Sequence, residues 1–307
     1  MRASLFRPLA CLFALALTAA ASAEGLVGLT TTNRLIRFDS AAPGILFVAP
    51  IAITGLQAGE TILGIDYRPA NHVLYGLGSA SRLYSLDPTT GAATQIGSAG
   101  AFTLSGTAFG FDFNPTVDRI RVTSTTTQNL RLNPNDGTLA ATDSALAYAA
   151  GDPNVGATPR IVGSAYTNNF SGATTTTLYD IDSNLDILAT QIPPNNGVLN
   201  TVGALGFNTS DLVGFDISGL TGTAFASLTA PGAATSSLFT VNLATGAGTL
   251  VGTIGASVAL LDIAVTAAVP EPSITISTTL GLVVLAFALR RRRASVRRSE
   301  LLPPLSC

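Results

Sequence analysis

Four aspartates recur at matching places in this chain. They are Asp66, Asp112, Asp216 and Asp262, within Gly64-Ile65-Asp66-Tyr67, Gly110-Phe111-Asp112-Phe113, Gly214-Phe215-Asp216-Ile217 and Leu260-Leu261-Asp262-Ile263. Carboxylates on equivalent inner strands would converge on one axis, and they repel one another unless a cation or hydrogen-bond donors intervene. Calcium is the cation to expect, and it would be the only cofactor; a carboxylate-bound ion of this kind could serve a hydrolase or lactonase. The structural alternative is that each Asp accepts backbone N–H bonds from its own repeat or a neighbouring one. Ala165, in the degenerate copy Gly163-Ser164-Ala165-Tyr166, leaves a ligand ring incomplete and favours that alternative.

A second group suits binding rather than catalysis. Arg119 and Arg121 fall on one face of a strand, with Arg131 on the next, and they form the densest basic cluster between the two termini. Such a cluster could hold an acidic polysaccharide, or it could pair with Asp118 and Asp136 on a solvated face. The chain has no Trp and only 6 Tyr, which removes the best sugar-stacking platform. His72, the only histidine, follows Pro69-Ala70-Asn71 and reads as a surface turn residue. No Gly-x-Ser-x-Gly elbow accompanies it, so no catalytic residue is assigned. Asp180-Ile181-Asp182-Ser183-Asn184-Leu185-Asp186 begins like a calcium loop, but Leu185 stands where Gly is required and Gln191 where a bidentate Glu is required.

The elements that must position these residues follow from the repeat itself. The copies are separated by 46, 53, 51 and 46 residues, a period suited to four-stranded propeller blades. A second landmark trails three of them: Leu86 to Gly91, Leu132 to Gly137 and Val241 to Gly246. In each, Asp or Asn opens a turn that Gly closes, which is hairpin chemistry between two strands. The runs 72–77, 119–123 and 175–181 are short and β-branched or aromatic, and the sole helical pattern is a short turn near 143–150. The last copy, Val258 to Val265, resembles an inner strand with nothing after it. The first segment has the opposite deficit: outer strands at 26–30, 35–38 and 45–48, with a turn at 39–44. Joining the two ends completes one blade and removes unpaired edges. The expected fold is an all-β propeller of five four-stranded blades closed by N- and C-terminal strands. A sandwich or open solenoid is the competing architecture.

Charge narrows the partners. From Glu24 to Ala268 there are eight Arg, no Lys and sixteen acidic residues, a balance of −8, whereas the whole chain stands at −2. A net-negative domain without a basic stripe is a poor nucleic-acid binder, since that affinity comes from phosphate neutralisation. Both cysteines, Cys11 and Cys307, lie near the ends, so no disulfide framework is expected between them.

The ends read as addresses. Arg2 and Arg7, the apolar run Leu9 to Leu17 and Ala21-Ser22-Ala23 form a secretory signal, with signal-peptidase cleavage before Glu24. Near the other end, Val269-Pro270-Glu271-Pro272-Ser273 precedes an apolar run from Ile274 to Leu289 and then Arg290, Arg291, Arg292 and Arg293. As a helix that run spans roughly 24 Å against a hydrocarbon core of about 30 Å. An ordinary single-pass anchor and a transient one both fit, with the arginines cytoplasmic and the domain outside.

This tail resembles the PEP-CTERM sorting signal of Gram-negative bacteria. The resemblance implies processing by an exosortase-type enzyme and delivery to the envelope or exopolysaccharide matrix. The chain continues for 14 residues beyond the arginines, whereas such tails usually stop soon after them. Independently, the phrases from Gly64 to Gly97 and Phe109 to Leu139 resemble a secreted bacterial family, domain of unknown function 4394. That likeness implies a propeller-like β fold and an extracytoplasmic location, and no activity. The expected organisation is a signal peptide at 1–23, a propeller at 24–268, a sorting signal at 269–293 that crosses the membrane through 274–289, and a cytoplasmic tail at 294–307. The expected role is a non-enzymatic envelope or matrix scaffold that binds exopolysaccharide or envelope proteins, the alternative being the metal-dependent hydrolase or lactonase.

Overall fold

The computed structural model describes residues 23–266. The expected signal peptide, sorting motif, membrane-crossing run 274–289, arginine cluster and tail all fall outside these residues, apart from Ala23.

Short apolar strands alternate with turns throughout. The first blade holds β1 (Gly25–Thr30), β2 (Arg34–Asp39) and β3 (Ala42–Leu46), with a two-residue β4 (Ile51–Ala52) also pairing β2. The second blade is β5 (Ile62–Tyr67), β6 (Leu74–Gly78), β7 (Arg82–Leu86) and β8 (Ala93–Ile96). The third is β9 (Phe109–Asn114), β10 (Arg119–Ser124), β11 (Asn129–Leu132) and β12 (Leu139–Thr142). The fourth runs β14 (Ile161–Tyr166), β15 (Leu178–Asp182), β16 (Ile187–Gln191) and β17 (Val198–Ala204), with β13 (Ala147–Tyr148) on the outside of β17. The fifth is β18 (Val213–Ile217), β19 (Ala224–Leu228), β20 (Ser237–Val241) and β21 (Gly248–Thr253).

The last strand, β22 (Leu260–Val265), leaves the fifth sheet and pairs antiparallel with β1, placing Val27 opposite Ala264 and Gly28 opposite Ile263. It thereby becomes the inner strand of the first blade. The inner strands β22, β5, β9, β14 and β18 neighbour one another in a closed ring. The expected five-bladed propeller, sealed by both ends of the domain, is therefore the fold.

The hairpin landmarks act as their residues require. Asp87 Oδ1 accepts the Thr89 N–H at 2.7 Å, and Gly91 closes the turn at φ 76°. Asn133 and Asn242 take the same role for Asn135 and Ala244. Two local expectations need correction. The turn at 39–44 is tighter, because Asp39 Oδ1 accepts the Ala41 N–H at 2.7 Å; the following strand therefore occupies Ala42–Leu46, not 45–48. The stretch near 143–150 is not helical. It forms β13, parallel to β17, with the Tyr148 hydroxyl donating to Asp182 Oδ2 at 2.6 Å. The one helical element among the described residues is the 3-10 turn Pro194–Asn196.

Packing between blades is mostly apolar. Val27, Leu29 and Leu35 meet Ile62, Ile65 and Leu74 at the first junction, and Tyr75, Leu77 and Leu83 meet Phe111, Phe113 and Ile120 at the second. Val162 and Ile181 meet Phe215 and Ala226 at the fourth junction; Phe225 and Leu238 meet Leu26 and Ile263 at the fifth. The third junction differs. Its apolar cluster joins Leu146 and Tyr148 of the insert to Ile161 and Leu199 of the fourth blade and contains no strand residue of the third.

The inner strands approach so closely that the repeat's glycine has a steric purpose. A Cβ on Gly214 would lie 2.6 Å from the Asp262 Cα, where only backbone could give way. Gly214→Ala is expected to destabilise by about 3 kcal/mol, at the upper end of ordinary overpacking. A lowered urea midpoint with an unchanged slope would register this.

Candidate functional site

The inner strands belong to different sheets, so their inward backbone N–H groups have no ladder partners, and such groups are costly to leave unpaired. The repeated aspartates satisfy them. Asp262 Oδ2 accepts from Ile65 of β5 at 2.8 Å, and Asp66 Oδ2 from Phe113 of β9 at 2.8 Å. Asp112 Oδ1 accepts from Tyr166 of β14 at 2.9 Å, and Asp216 Oδ2 from Val265 of β22 at 2.6 Å. Asp66, Asp216 and Asp262 also accept the N–H of the next residue, at 2.7, 2.6 and 2.9 Å. Each blade thus hands a carboxylate to its successor. The series lapses at one step, from β14 to β18, where Ala165 has nothing to offer.

Three of the four acids also come close together. Asp66, Asp112 and Asp216 each place one carboxylate oxygen within 4.8 Å of the others, whereas Asp262 stands outside the group. All four are buried. Burial, and then the charge of Asp216, holds Asp66 well above the ordinary carboxylate range; burial, and then Asp66, does the same to Asp112. Burial also raises Asp262 well above that range and lifts Asp216 to about 7.

The calcium-like run does not converge. Asp180 accepts from the Ser164 hydroxyl at 2.6 Å, Asp182 from Tyr148 and the Asn184 N–H, and Asp186 from the Thr209 N–H. It spans β15 and the hairpin to β16, one hairpin earlier than the landmark turns of the other blades. His72 is exposed in the turn before β6, at φ 57°.

The arginines build a second site at the polar third junction. Alternation along β10 puts Arg119, Arg121 and Thr123 on one face, and Arg131 of β11 lies directly across from Arg121. Arg121 is 2% exposed and held on all sides. Its Nη1 donates to Asn129 Oδ1 and Asp143 Oδ2, both at 2.7 Å, and its Nη2 to Asn195 Oδ1 at 2.8 Å. Arg131 grips Asp143 with two bonds of 2.7 and 2.9 Å. Arg119 donates only to the Asp118 backbone carbonyl, at 2.8 Å. The expected partners Asp118 and Asp136 are therefore replaced for Arg121 and Arg131 by Asp143, and the Asp118 carboxylate pairs with Arg68.

These arginines line a cavity of about 390 Å³ with Asn114, Tyr166, Asn195, Val117, Ile120 and Pro194. Sequence reasoning identified the three arginines and missed Asp143, Tyr166 and Asn195. Asp143 sits in the stretch read as a helical turn, and the other two come from the next blade. Tyr166 carried a signal, since it belongs to the degenerate repeat copy.

Fold and site together define a five-bladed β-propeller with carboxylate-linked inner strands. The chain belongs to the family described as Domain of unknown function (DUF4394), whose model matches residues 34–264. No curated protein matches it. Among solved structures it is similar to a protein of unknown function from Bacteroides thetaiotaomicron, at TM-score 0.47 and 14% identity over 81% of this chain and 68% of that one. It is also similar to a 6-phosphogluconolactonase candidate from Bacteroides uniformis, at TM-score 0.41 and 14% identity over 76% and 83%. A third is the hydrazine synthase of Kuenenia stuttgartiensis, at TM-score 0.38 and 14% identity over 66% of this chain; the chain spans only 51% of that one.

The aspartates give the fold a pH dependence. Their folded pKa lies above the ordinary value, so their stabilisation is complete below about pH 4 and is lost as pH rises through the folded values, which for Asp216 is about 7. Carboxylates held low, such as Asp87 and Asp152, act in the opposite sense and only below that window. Tm is expected to fall between about pH 5 and 8. Asp216→Asn should flatten part of that decline in differential scanning fluorimetry.

Proposed function

We infer that this protein is an exported, non-enzymatic binding propeller of the cell envelope or exopolysaccharide matrix. The address rests on the leader residues and on the PEP-CTERM-like tail, Val269 to Ser273 with Arg290 to Arg293. Signal peptidase and an exosortase-type enzyme are the partners such segments need. The run 274–289 holds the chain in the inner membrane until processing.

The absence of catalysis rests on one observation: every repeated aspartate is committed to a neighbouring or adjacent backbone N–H. A general base or nucleophile needs a lone pair pointed at substrate, and seven of the eight oxygens here accept from the chain, Asp112 Oδ2 being the exception. The rigid ring then presents a surface, and the arginine-lined cavity of about 390 Å³ is a recess in it.

A second reading, a metal-dependent hydrolase or lactonase, draws on the 4.8 Å grouping of Asp66, Asp112 and Asp216. One calcium ion with oxygens at about 2.3–2.6 Å would bridge such a spacing. The two readings part on a simple measurement. Purified full-length protein is expected to carry no stoichiometric metal, to melt at the same temperature in excess calcium and in chelator, and to hydrolyse no lactone. A bound ion at 100 times its Kd would instead add about 2.7 kcal/mol of stability. Recovery of the intact chain from the cytosol would defeat the export half of the reading.

A further inference from the structure

At the third junction the strands of the two blades meet through buried polar groups, whereas at the second and fourth the ion pairs Arg68–Asp118 and Arg160–Asp211 accompany apolar clusters. Four junctions are filled by apolar clusters that both blades supply. At the third, β10 and β11 offer Arg121, Thr123 and Asn129, and blade four answers with Ser164, Tyr166 and Gln191. Thr123 and Ser164 share a hydroxyl contact of 2.7 Å, and Gln191 Nε2 donates to Asn129 Oδ1 at 3.3 Å. A buried guanidinium network of this kind adds little net stability compared with apolar filling. Its geometry therefore points to use.

The groups left over around the cavity are almost all donors. Arg121 uses four of its five N–H groups on protein partners and fixes the others in place. Among the described residues, Arg119 keeps Nε and Nη2 without partners, Arg131 keeps Nη1, and the side-chain N–H₂ of Asn195 makes no hydrogen bond, while that of Asn114 faces the Tyr166 hydroxyl. The Tyr166 hydroxyl accepts from Arg121 Nε at 3.4 Å and retains its own proton to give. Three guanidinium groups and no carboxylate line the recess, although Asp143 pairs with Arg121 and Arg131 and Asp136 and Asp180 act on Arg119 and Arg121 from behind it. The domain as a whole is net acidic, so this grouping of three arginines runs against its overall sign. Its walls also carry Val117, Ile120 and Pro194, which can cover the face of a pyranose ring.

We propose that this cavity is a carboxylate-binding site for an acidic sugar, a uronate unit of a polysaccharide, with Arg119 and Arg131 gripping the carboxylate and Asn114, Asn195 and Tyr166 donating to ring hydroxyls. A planar carboxylate matches the two-donor fork of a guanidinium, and the apolar wall matches a sugar better than a free inorganic anion. Asp112 is a positioning residue, since its carboxylate holds the Tyr166 backbone and so sets where that ring enters the cavity. The assignment rests on the binding-module reading and gives it a ligand class.

Titration calorimetry of full-length protein in detergent, with trigalacturonate as the probe, tests it. Trigalacturonate should bind, and its methyl ester should bind at least tenfold more weakly. Arg119→Gln should also weaken binding about tenfold, the loss of one charge-assisted bond. This variant touches only one backbone carbonyl, so its Tm should match the parent. Asn195→Ala provides a second reporter from the opposite blade. Binding of the ester as tightly as the acid overturns the proposal, as does indifference to Arg119→Gln, or binding of inorganic phosphate in preference to the uronate. Binding of a neutral glycan unaffected by Arg119→Gln would leave the module reading standing and remove this site. Turnover of any probe would remove the module reading itself.

Discussion

A carboxylate handed from one inner strand to the next holds this propeller together at its axis. Five inner strands belonging to five sheets cannot satisfy each other's backbone through a ladder, and they crowd too closely for water to do so. An Asp two residues after a Gly solves both problems. The glycine lets the neighbour approach, and the acid reaches across to its N–H. The carboxyl oxygen accepts the N–H whether or not the group is ionised, and the bond links successive blades instead of reinforcing a single sheet.

The same arrangement carries a cost that shapes the rest of the molecule. Four buried acids around one axis raise each other's pKa, and three lie near enough to share protons or a cation. Apolar filling at four of the five junctions supplies the stability that offsets this. The remaining junction is the exception: there Arg121 replaces a core residue, and an insert from 143 to 160 supplies Asp143, Leu146 and Tyr148. The degenerate repeat copy borders that junction as well, with Ser164 and Ala165 in place of the usual pattern.

Much of this was legible in the chain. The Gly-x-Asp phrase, its period near 50 residues and the Asp/Asn-to-Gly hairpins fixed the blade number, and the mismatched ends predicted the seam between β1 and β22. Legibility failed where the partner lies far away in sequence. Nothing near Arg121 announces Asn195, 74 residues on, and nothing local shows that Ala147 and Tyr148 will pair with Val198 and Leu199. Alanine-rich composition made 143–150 look helical, yet tertiary pairing overrode that weak preference. The equivalence of the aspartates was visible, whereas their individual acceptor geometry was not, because it depends on a stagger between strands that the repeat does not encode. Asp262 shows this: it occupies the equivalent place, without the glycine, and stands outside the group formed by the other three.

Joining β22 to β1 has a temporal consequence. The seam pairs residue 26 with residue 265, so a chain emerging from its N-terminus carries an unfinished first blade until nearly the whole domain has been synthesised. Contacts so remote in sequence slow folding. The circular form can lock only once the last strand is available, so the first and last residues of the domain are committed together.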